Sequence, residues 1–169
     1  MQTRRAFLKA EFTTTAQTLR LPWTLKISDF TERCTRCNQC VIRCPEKIIR
    51  NGDGGFPELD FAYGECTFCE ECVDSCNNVT FIEKDQAPWD LTINITENCL
   101  AFKNVHCITC QEQCETEAIS FVYQAGKIPQ PVISQHSCSG CGACIKPCPT
   151  NAINLNYTTS YTKGETACI

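Results

Sequence analysis

The stretch C-T-R-C-N-Q-C-V-I-R-C-P, residues 34–45, decides the fold of this chain. Three cysteines stand at every third residue, a fourth follows four residues later, and a proline comes next. This spacing is typical of cysteine runs that bind 4Fe–4S clusters. The first three thiolates can face one cluster from a tight turn, whereas the fourth lies too far along the following helical turn. Where two such runs occur together, the fourth cysteine binds the neighbouring cluster.

The cysteine run recurs along the chain. Sixteen of the 17 cysteines fall into four groups of four, and three of these groups share one spacing. Asn77 replaces the proline after the second group, and the third group is stretched because seven residues follow its first cysteine. We predict that all sixteen are iron ligands, which gives three 4Fe–4S clusters at regular motifs and a fourth at the stretched one. The groups are Cys34, Cys37, Cys40 and Cys44; Cys66, Cys69, Cys72 and Cys76; Cys99, Cys107, Cys110 and Cys114; and Cys138, Cys141, Cys144 and Cys148.

Two other uses of cysteine compete with this interpretation. Zinc sites typically combine two C-x2-C pairs about 12–20 residues apart, not three or four ligands in one turn. A secreted disulfide scaffold is the other interpretation of a cysteine-rich chain. The odd number of cysteines and their three-residue spacing favour a metal cage instead, so iron–sulfur clusters are the prediction.

Pairing of the runs predicts that ligand sets cross between motifs. The fourth cysteine of each run would then complete the set of its partner run. Cys76 would join the first motif and Cys44 the second, while by analogy Cys148 would join the third and Cys114 the fourth.

The repeat also predicts the fold class and the domains. We expect an α+β fold, a tandem pair of bacterial two-cluster ferredoxin-like units whose small core is organised by the clusters. A short apolar stretch after each motif predicts a brief strand there. Residues 29–86 would hold motifs 1 and 2, and residues 93–158 motifs 3 and 4. Residues 1–28 would be an N-terminal basic tail and residues 159–169 a C-terminal tail.

Composition limits the function classes. Hydrophobic residues make up 43% of the chain, but the 17 cysteines are counted among them, so the apolar core is thin. We therefore expect the iron-free chain to be largely unfolded. A formal net charge of −4 offers no electrostatic basis for nucleic-acid binding. No stretch approaches the roughly 18 apolar residues of a membrane-spanning helix.

The N-terminus bears on the compartment. The stretch T-R-R-A-F-L-K, residues 3–9, is similar to a twin-arginine export signal through Arg4 and Arg5. A signal also needs an apolar segment of about 7–15 residues, whereas residues 10–18 are polar. The prediction is a cytoplasmic protein, with the periplasm as the alternative if this start is a working signal.

The remaining reactive residues offer no catalytic site. His106 and His136 stand next to cysteine motifs and are expected to lie at the surface or beside the ligands. Cys168 is outside every motif and is expected to be a free thiol. No Ser–His–acid set, flavin motif or nicotinamide motif is visible, so the chain is not expected to be an enzyme.

Beyond the cysteines, several segments resemble the NapF family of ferredoxin-type proteins. They include Leu21-Pro22-Trp23 and Gly54-Gly55-Phe56-Pro57, together with the stretched third motif that begins Cys99-Leu100-Ala101-Phe102. Trp89-Asp90-Leu91 shortly before that motif adds to the likeness. The resemblance implies a cytoplasmic 4Fe–4S protein, encoded with periplasmic nitrate reductase, that binds the catalytic subunit before export and helps to mature it by supplying electrons or assisting cluster assembly.

Two other roles stay open beside maturation. One is an electron-transfer polyferredoxin subunit of an anaerobic respiratory chain. The other is a binding module in which the clusters only stabilise the fold. The oligomeric state is not predicted.

Overall fold

The computed structural model describes residues 18–78 and 80–158. Short helices and short strands both occur there, in agreement with the mixed α+β composition that the repeat predicts. In chain order they are helix α1 (Ile27–Arg33), helix α2 (Gln39–Arg43), strand β1 (Ile49–Asn51), a 3-10 turn (Asp53–Gly55), strand β2 (Pro57–Leu59), helix α3 (Glu71–Asp74), strand β3 (Leu91–Ile95), helix α4 (Thr109–Glu112), strand β4 (Ile119–Val122), strand β5 (Gln130–Ile133) and strand β6 (Ile153–Tyr157). None of the helices in these ranges combines the length and the apolar character that crossing a membrane requires.

The strands form three antiparallel pairs, and the pairs recur with the motifs. β1 pairs with β2 between motifs 1 and 2, and β4 pairs with β5 between motifs 3 and 4. β3, which precedes motif 3, pairs with β6, which follows motif 4. Each half therefore has a hairpin between its two motifs. The second half is also closed by pairing of its first and last strands.

Closure of the first half is much shorter than the sequence predicts. The strand expected after motif 2 is reduced to a single bridge between Thr24 and Phe81, and Val79 lies outside the described residues. Two backbone hydrogen bonds support the bridge, from Leu25 to Thr80 and from Ile82 to Trp23. Trp23 has a left-handed backbone with φ of 58°, which ends the extended conformation that a longer strand would need.

Part of the segment predicted as the N-terminal tail, residues 1–28, packs against the body. Within residues 18–28, Leu21 is 1% exposed and Trp23 is 5% exposed. The backbone N–H of Arg20 donates to the Tyr157 hydroxyl at 2.8 Å, which joins this segment to the last strand. The apolar residues of Leu21-Pro22-Trp23 are too few to show helical or strand periodicity, so their burial is not visible in the sequence.

Apolar residues of both halves meet in a single buried cluster. Burying each large apolar side chain of this kind stabilises the fold by about 1.5–3 kcal/mol. The cluster also includes three of the predicted ligands, Cys44, Cys72 and Cys144, so the core adjoins the cysteine sites. Its other members are Leu21, Ile48, Ile49, Leu59, Phe61, Leu91, Ile93, Ala101, Ile119, Phe121, Ile153, Leu155 and Tyr157.

Candidate iron–sulfur sites

The three regular motifs share one backbone conformation. In each, the two residues that flank the second cysteine have left-handed φ angles. These residues are Arg36 (56°) and Asn38 (62°) in motif 1, Phe68 (54°) and Glu70 (64°) in motif 2, and Gly140 (74°) and Gly142 (82°) in motif 4. Left-handed residues reverse the chain within a few positions. Three cysteines can therefore project into one concave turn, as the spacing predicts.

The stretched third motif also gathers its cysteines around one cavity, but its backbone conformation differs from that of the regular motifs. Ile108, which follows its second cysteine, has φ of −127° instead of a left-handed angle. The inserted residues fold into a compact turn, in which the Lys103 N–H donates to the Cys99 carbonyl at 3.2 Å. Ala101 within the turn is fully buried, and its carbonyl accepts a hydrogen bond from the Gln130 side chain at 2.9 Å. The insertion is thus anchored to strand β5.

Three cavities in the structure are each lined by four cysteines. In every case three come from one motif and the fourth from its partner motif. The sets are Cys34, Cys37, Cys40 and Cys76; Cys66, Cys69, Cys72 and Cys44; and Cys99, Cys107, Cys110 and Cys148. This is the crossed arrangement that the pairing of the runs predicts.

The remaining four cysteines also come together. Burial raises the pKa of the Cys138 thiol, and the negative charges of nearby Cys141 and Cys114 raise it further. The pKa of Cys144 is raised to about 12 by burial and by the charges of Cys141 and Cys138. Cys114 therefore lies with motif 4, so all sixteen predicted ligands are assembled in four crossed sets.

The electrostatics of the sets suit a positively charged centre. The pKa of Cys66 and Cys72 is raised to about 12, chiefly by burial and to a smaller extent by the charges of neighbouring thiolates. Burial likewise raises the pKa of Cys40 and Cys110 to about 11. Four thiolates packed this closely repel one another unless a cation lies between them. Iron in a cluster supplies that charge and keeps bound cysteines deprotonated.

The geometry fits a cluster better than one metal ion. No group of three or more His, Cys, Asp or Glu side chains within residues 18–78 and 80–158 is arranged to hold a single ion. The cysteines of each set instead line the walls of a cavity. A 4Fe–4S cluster offers a separate iron to each of four thiolates. The donor set and its placement therefore fit such a cluster.

Backbone N–H groups four residues after the last cysteine of a motif donate to its sulfur, and the sequence analysis did not identify these donors. The Ala118 N–H donates to Cys114 Sγ at 3.2 Å, and the Ala152 N–H donates to Cys148 Sγ at 3.3 Å. Burial raises the pKa of Cys114, but hydrogen bonds from the Thr116 hydroxyl and nearby backbone N–H groups outweigh it, so the pKa is lowered. Such bonds help to set the reduction potential of a bound cluster.

Threonine hydroxyls lie beside several of the sulfurs. The Thr80 hydroxyl is 3.1 Å from Cys76 Sγ, and Thr80 is almost fully buried. Other threonines stand two residues after a cysteine, with hydroxyls 3.6 to 3.9 Å from its sulfur: Thr109, Thr116 and Thr150. The repeated Cys-x-Thr pattern is the sequence signal that could have indicated these contacts.

The other candidates do not line these cavities. His106 and His136 are both exposed, in agreement with the expected surface position. Cys168, Arg4 and Arg5 lie outside the described residues, so the predictions about them stay open.

Comparisons with known proteins agree with this architecture. The 4Fe–4S dicluster domain family matches residues 33–79 and 103–152, one segment in each half. The ferredoxin-type protein NapF of Haemophilus influenzae is 42% identical over 163 residues, covering 90% of this chain and 93% of that protein. NapF of Escherichia coli K12 is 37% identical over 154 residues, covering 91% and 94%. A methylamine utilization ferredoxin-type protein, MauM of Methylobacillus flagellatus, is 29% identical over 161 residues, covering 85% and 69%.

The fold and the cysteine sites define a 4Fe–4S protein of the ferredoxin type. Within that class, the chain belongs to the NapF family, since two NapF proteins match almost its whole length at 37% and 42% identity. The family predicted from the sequence is thereby confirmed.

The crossed sets predict an unusual outcome for Cys76→Ala. Although Cys76 belongs to motif 2, its replacement should remove the cluster at Cys34, Cys37 and Cys40, because it completes that cavity. Iron content should fall by up to one cluster, and Cys44→Ala is the matched variant that should damage the other cluster of this half. Mössbauer or EPR spectroscopy of the anaerobic variants would distinguish the two sites. Loss of the motif 2 cluster in Cys76→Ala, with the motif 1 cluster intact, would contradict the crossing.

Proposed function

We propose that the protein consists of two ferredoxin-like units in tandem and holds four 4Fe–4S clusters. The two units would centre on residues 29–86 and 93–158. Both halves place a strand hairpin between their motifs and bring four cysteines around each site. The sixteen cysteines would act as ligands, and the bound clusters would supply one-electron redox chemistry.

The proposed role is maturation of the catalytic subunit of periplasmic nitrate reductase. The protein would bind that subunit in the cytoplasm before export and supply electrons or help to assemble its cluster. The observation that carries this proposal is the match to NapF proteins along nearly the whole chain. We further propose that the chain is not itself an enzyme, because sixteen of its 17 cysteines would serve as iron ligands and both histidines lie exposed, away from the cavities.

Residues of the chain would contribute in two ways. The cysteines would hold the clusters, while the backbone N–H groups of Ala118 and Ala152 and the Thr80 hydroxyl would adjust their potentials through sulfur. Cys37 and Cys69 are exposed, so two of the sites reach the surface. A redox partner could approach the bound clusters there.

That exposure also favours the alternative function, an electron-transfer subunit of an anaerobic respiratory chain. The two roles differ in where the protein meets its partner. A carrier for the mature periplasmic enzyme would have to reach the periplasm, whereas a maturation factor meets the subunit before export. A purely structural role for the clusters would predict that they cannot be reduced at physiological potentials.

An anaerobic pull-down tests the maturation role. The tagged full-length protein is captured from the cytoplasmic fraction, and its iron and sulfide are measured. We expect co-purification of the unexported reductase subunit. The Cys76→Ala variant serves as a comparison, because it shows whether an intact first site is needed for binding. Recovery of the protein from the periplasm without the unexported subunit would contradict the proposal and favour the carrier.

A further inference from the structure

We infer that the four cysteine sites form one row in the order first, second, fourth, third, with the two halves joined between the second and fourth sites. The chain then works as one four-site unit and not as two independent two-site units. The inference rests on the proposed cluster content but not on the proposed reductase partner.

Within each half, the two sites are neighbours because the third and fourth cysteines of one run belong to different sites. Cys40 lines the first site and Cys44 the second, and the Cys44 N–H donates to the Cys40 carbonyl at 3.2 Å. Cys144 and Cys148, four residues apart, belong in the same way to the fourth and third sites. These contacts follow from the crossing of ligands inside each half. The contact between the two halves is a separate feature of the structure.

The junction between the halves is a direct contact between ligand residues. The backbone N–H of Cys66 in the second site donates to the carbonyl of Cys141 in the fourth site at 2.8 Å. A hydrogen-bonded peptide group therefore connects one ligand set to the other, and the stretched third site stands at the far end of the row.

Aromatic packing holds this junction in place. Phe61 of the first half lies against Gly142, so that a Cβ at Gly142 would overlap its ring. Trp89 lies against Gly140 in the same way, and its indole N–H donates to the Ser139 carbonyl at 2.8 Å. Phe68, two residues after Cys66, contacts Trp89 with ring centroids 5.6 Å apart. The turn of motif 4 is thus covered by side chains from outside its own half.

Two further hydrogen bonds join the halves. The ammonium of Lys146, which follows the ligand Cys144 by two residues, donates to the Tyr63 carbonyl at 2.9 Å. The Arg20 N–H donates to the Tyr157 hydroxyl across the same boundary. Because several independent contacts bridge the halves, the contact between Cys66 and Cys141 is a fixed feature of the fold. A one-electron donor at the first half could then serve a one-electron acceptor at the second, with no bond made or broken.

The order of the sites in the row can be tested by measuring magnetic coupling between reduced clusters. Two full-length variants, each retaining two sites, are reduced and examined by EPR. One variant keeps the second and fourth sites, and its spectrum should be split and broadened. The other keeps the first and third sites, and its spectrum should be the sum of two isolated signals. The substitutions are Cys34→Ala, Cys37→Ala, Cys99→Ala and Cys107→Ala in the former, and Cys69→Ala, Cys72→Ala, Cys138→Ala and Cys141→Ala in the latter.

The outcomes separate this inference from the proposed function. Isolated signals from the second and fourth sites, or coupling between the first and third, would overturn the row. If that happened while the wild-type protein still captured the reductase subunit, the proposed partner would stand. A protein with a coupled second–fourth pair but no captured subunit would support the row and contradict the partner.

Hydrogen exchange on the loaded wild-type protein provides a measurement without any substitution. The Cys66 amide should be protected to a similar degree as the Leu59 amide, which donates to the Leu19 carbonyl at 2.8 Å. The Lys127 amide, which donates to the Gln124 carbonyl at 3.1 Å within an exposed turn, is the reference for a hydrogen bond that opens locally. Exchange of Cys66 as fast as that of Lys127 would show that the halves separate in solution, and the junction would be wrong.

Discussion

Replacing Gly142 by alanine is expected to destabilise the cluster-loaded protein by about 2–4 kcal/mol. Roughly 1 kcal/mol comes from the left-handed backbone, which disfavours a Cβ, and about 1–3 kcal/mol from overpacking. The backbone φ of Gly142 is 82°, and the new methyl group would overlap Phe61, which is only 4% exposed. The ring cannot move into solvent without leaving the core. The measurement is the rate of loss of visible cluster absorption in denaturant under anaerobic conditions, because cluster loss makes unfolding irreversible.

Gly126→Ala is the matched control for this prediction. Gly126 also has a left-handed backbone, with φ of 73°, but no atom lies within 4 Å of the position its Cβ would take. Its replacement should cost only about 1 kcal/mol, from the backbone alone. Equal effects of the two substitutions would mean that Phe61 does not pack on Gly142, and the described junction would be incorrect.

Removal of iron is expected to unfold most of the chain. Without iron, folding would rest on the apolar cluster around Ile48, Ile119 and Ile153, with nothing bound in the cysteine-lined cavities beside it. Free energy from binding a structural metal that is absent from the unfolded chain becomes folding free energy, about 10–16 kcal/mol for a structural zinc site. This exceeds or matches the whole stability of a typical domain, about 5–15 kcal/mol. Chelation should therefore abolish most of the circular dichroism signal and expose the chain to protease.

Reconstitution provides the control for iron removal. Ferrous iron and sulfide added anaerobically with a thiol reductant should restore both the visible absorption and the circular dichroism. Zinc is the matched comparison and should restore neither, since the structure offers no single-ion site within the described residues. An iron-free chain that still unfolds cooperatively, with unchanged circular dichroism, would show that the apolar cluster alone maintains the fold.

Local spacing was sufficient to predict the chemistry of the sites. The cysteines of a regular motif are three or four residues apart, so the turn that gathers them is nearly independent of the rest of the chain. The left-handed pair that flanks the second cysteine recurs in motifs 1, 2 and 4 whether the residues are Arg36 and Asn38 or Gly140 and Gly142. The crossing of ligands could be predicted as well, because it follows from the reach of the fourth cysteine.

Features that depend on distant residues were predicted less well. The burial of Leu21 and Trp23 arises from contacts with residues far along the chain, and no periodic pattern indicated it. Closure of the first half is reduced to one bridge because the backbone of Trp23 is left-handed, a property that the residue type does not suggest. Trp89 contributes to the family resemblance, yet its contact with the turn of motif 4 is visible only in three dimensions.

The amino-acid sequence by itself determined the cofactor class, the sixteen candidate ligands and the family, since cluster binding depends on short, regular cysteine spacing. The tertiary structure decided how the sites are ordered. It brought Cys66 of the first half to Cys141 of the second through one backbone hydrogen bond and the packing of Phe61 on Gly142. That contact joins residues from different halves of the chain, and its free energy comes from long-range packing that no local motif encodes.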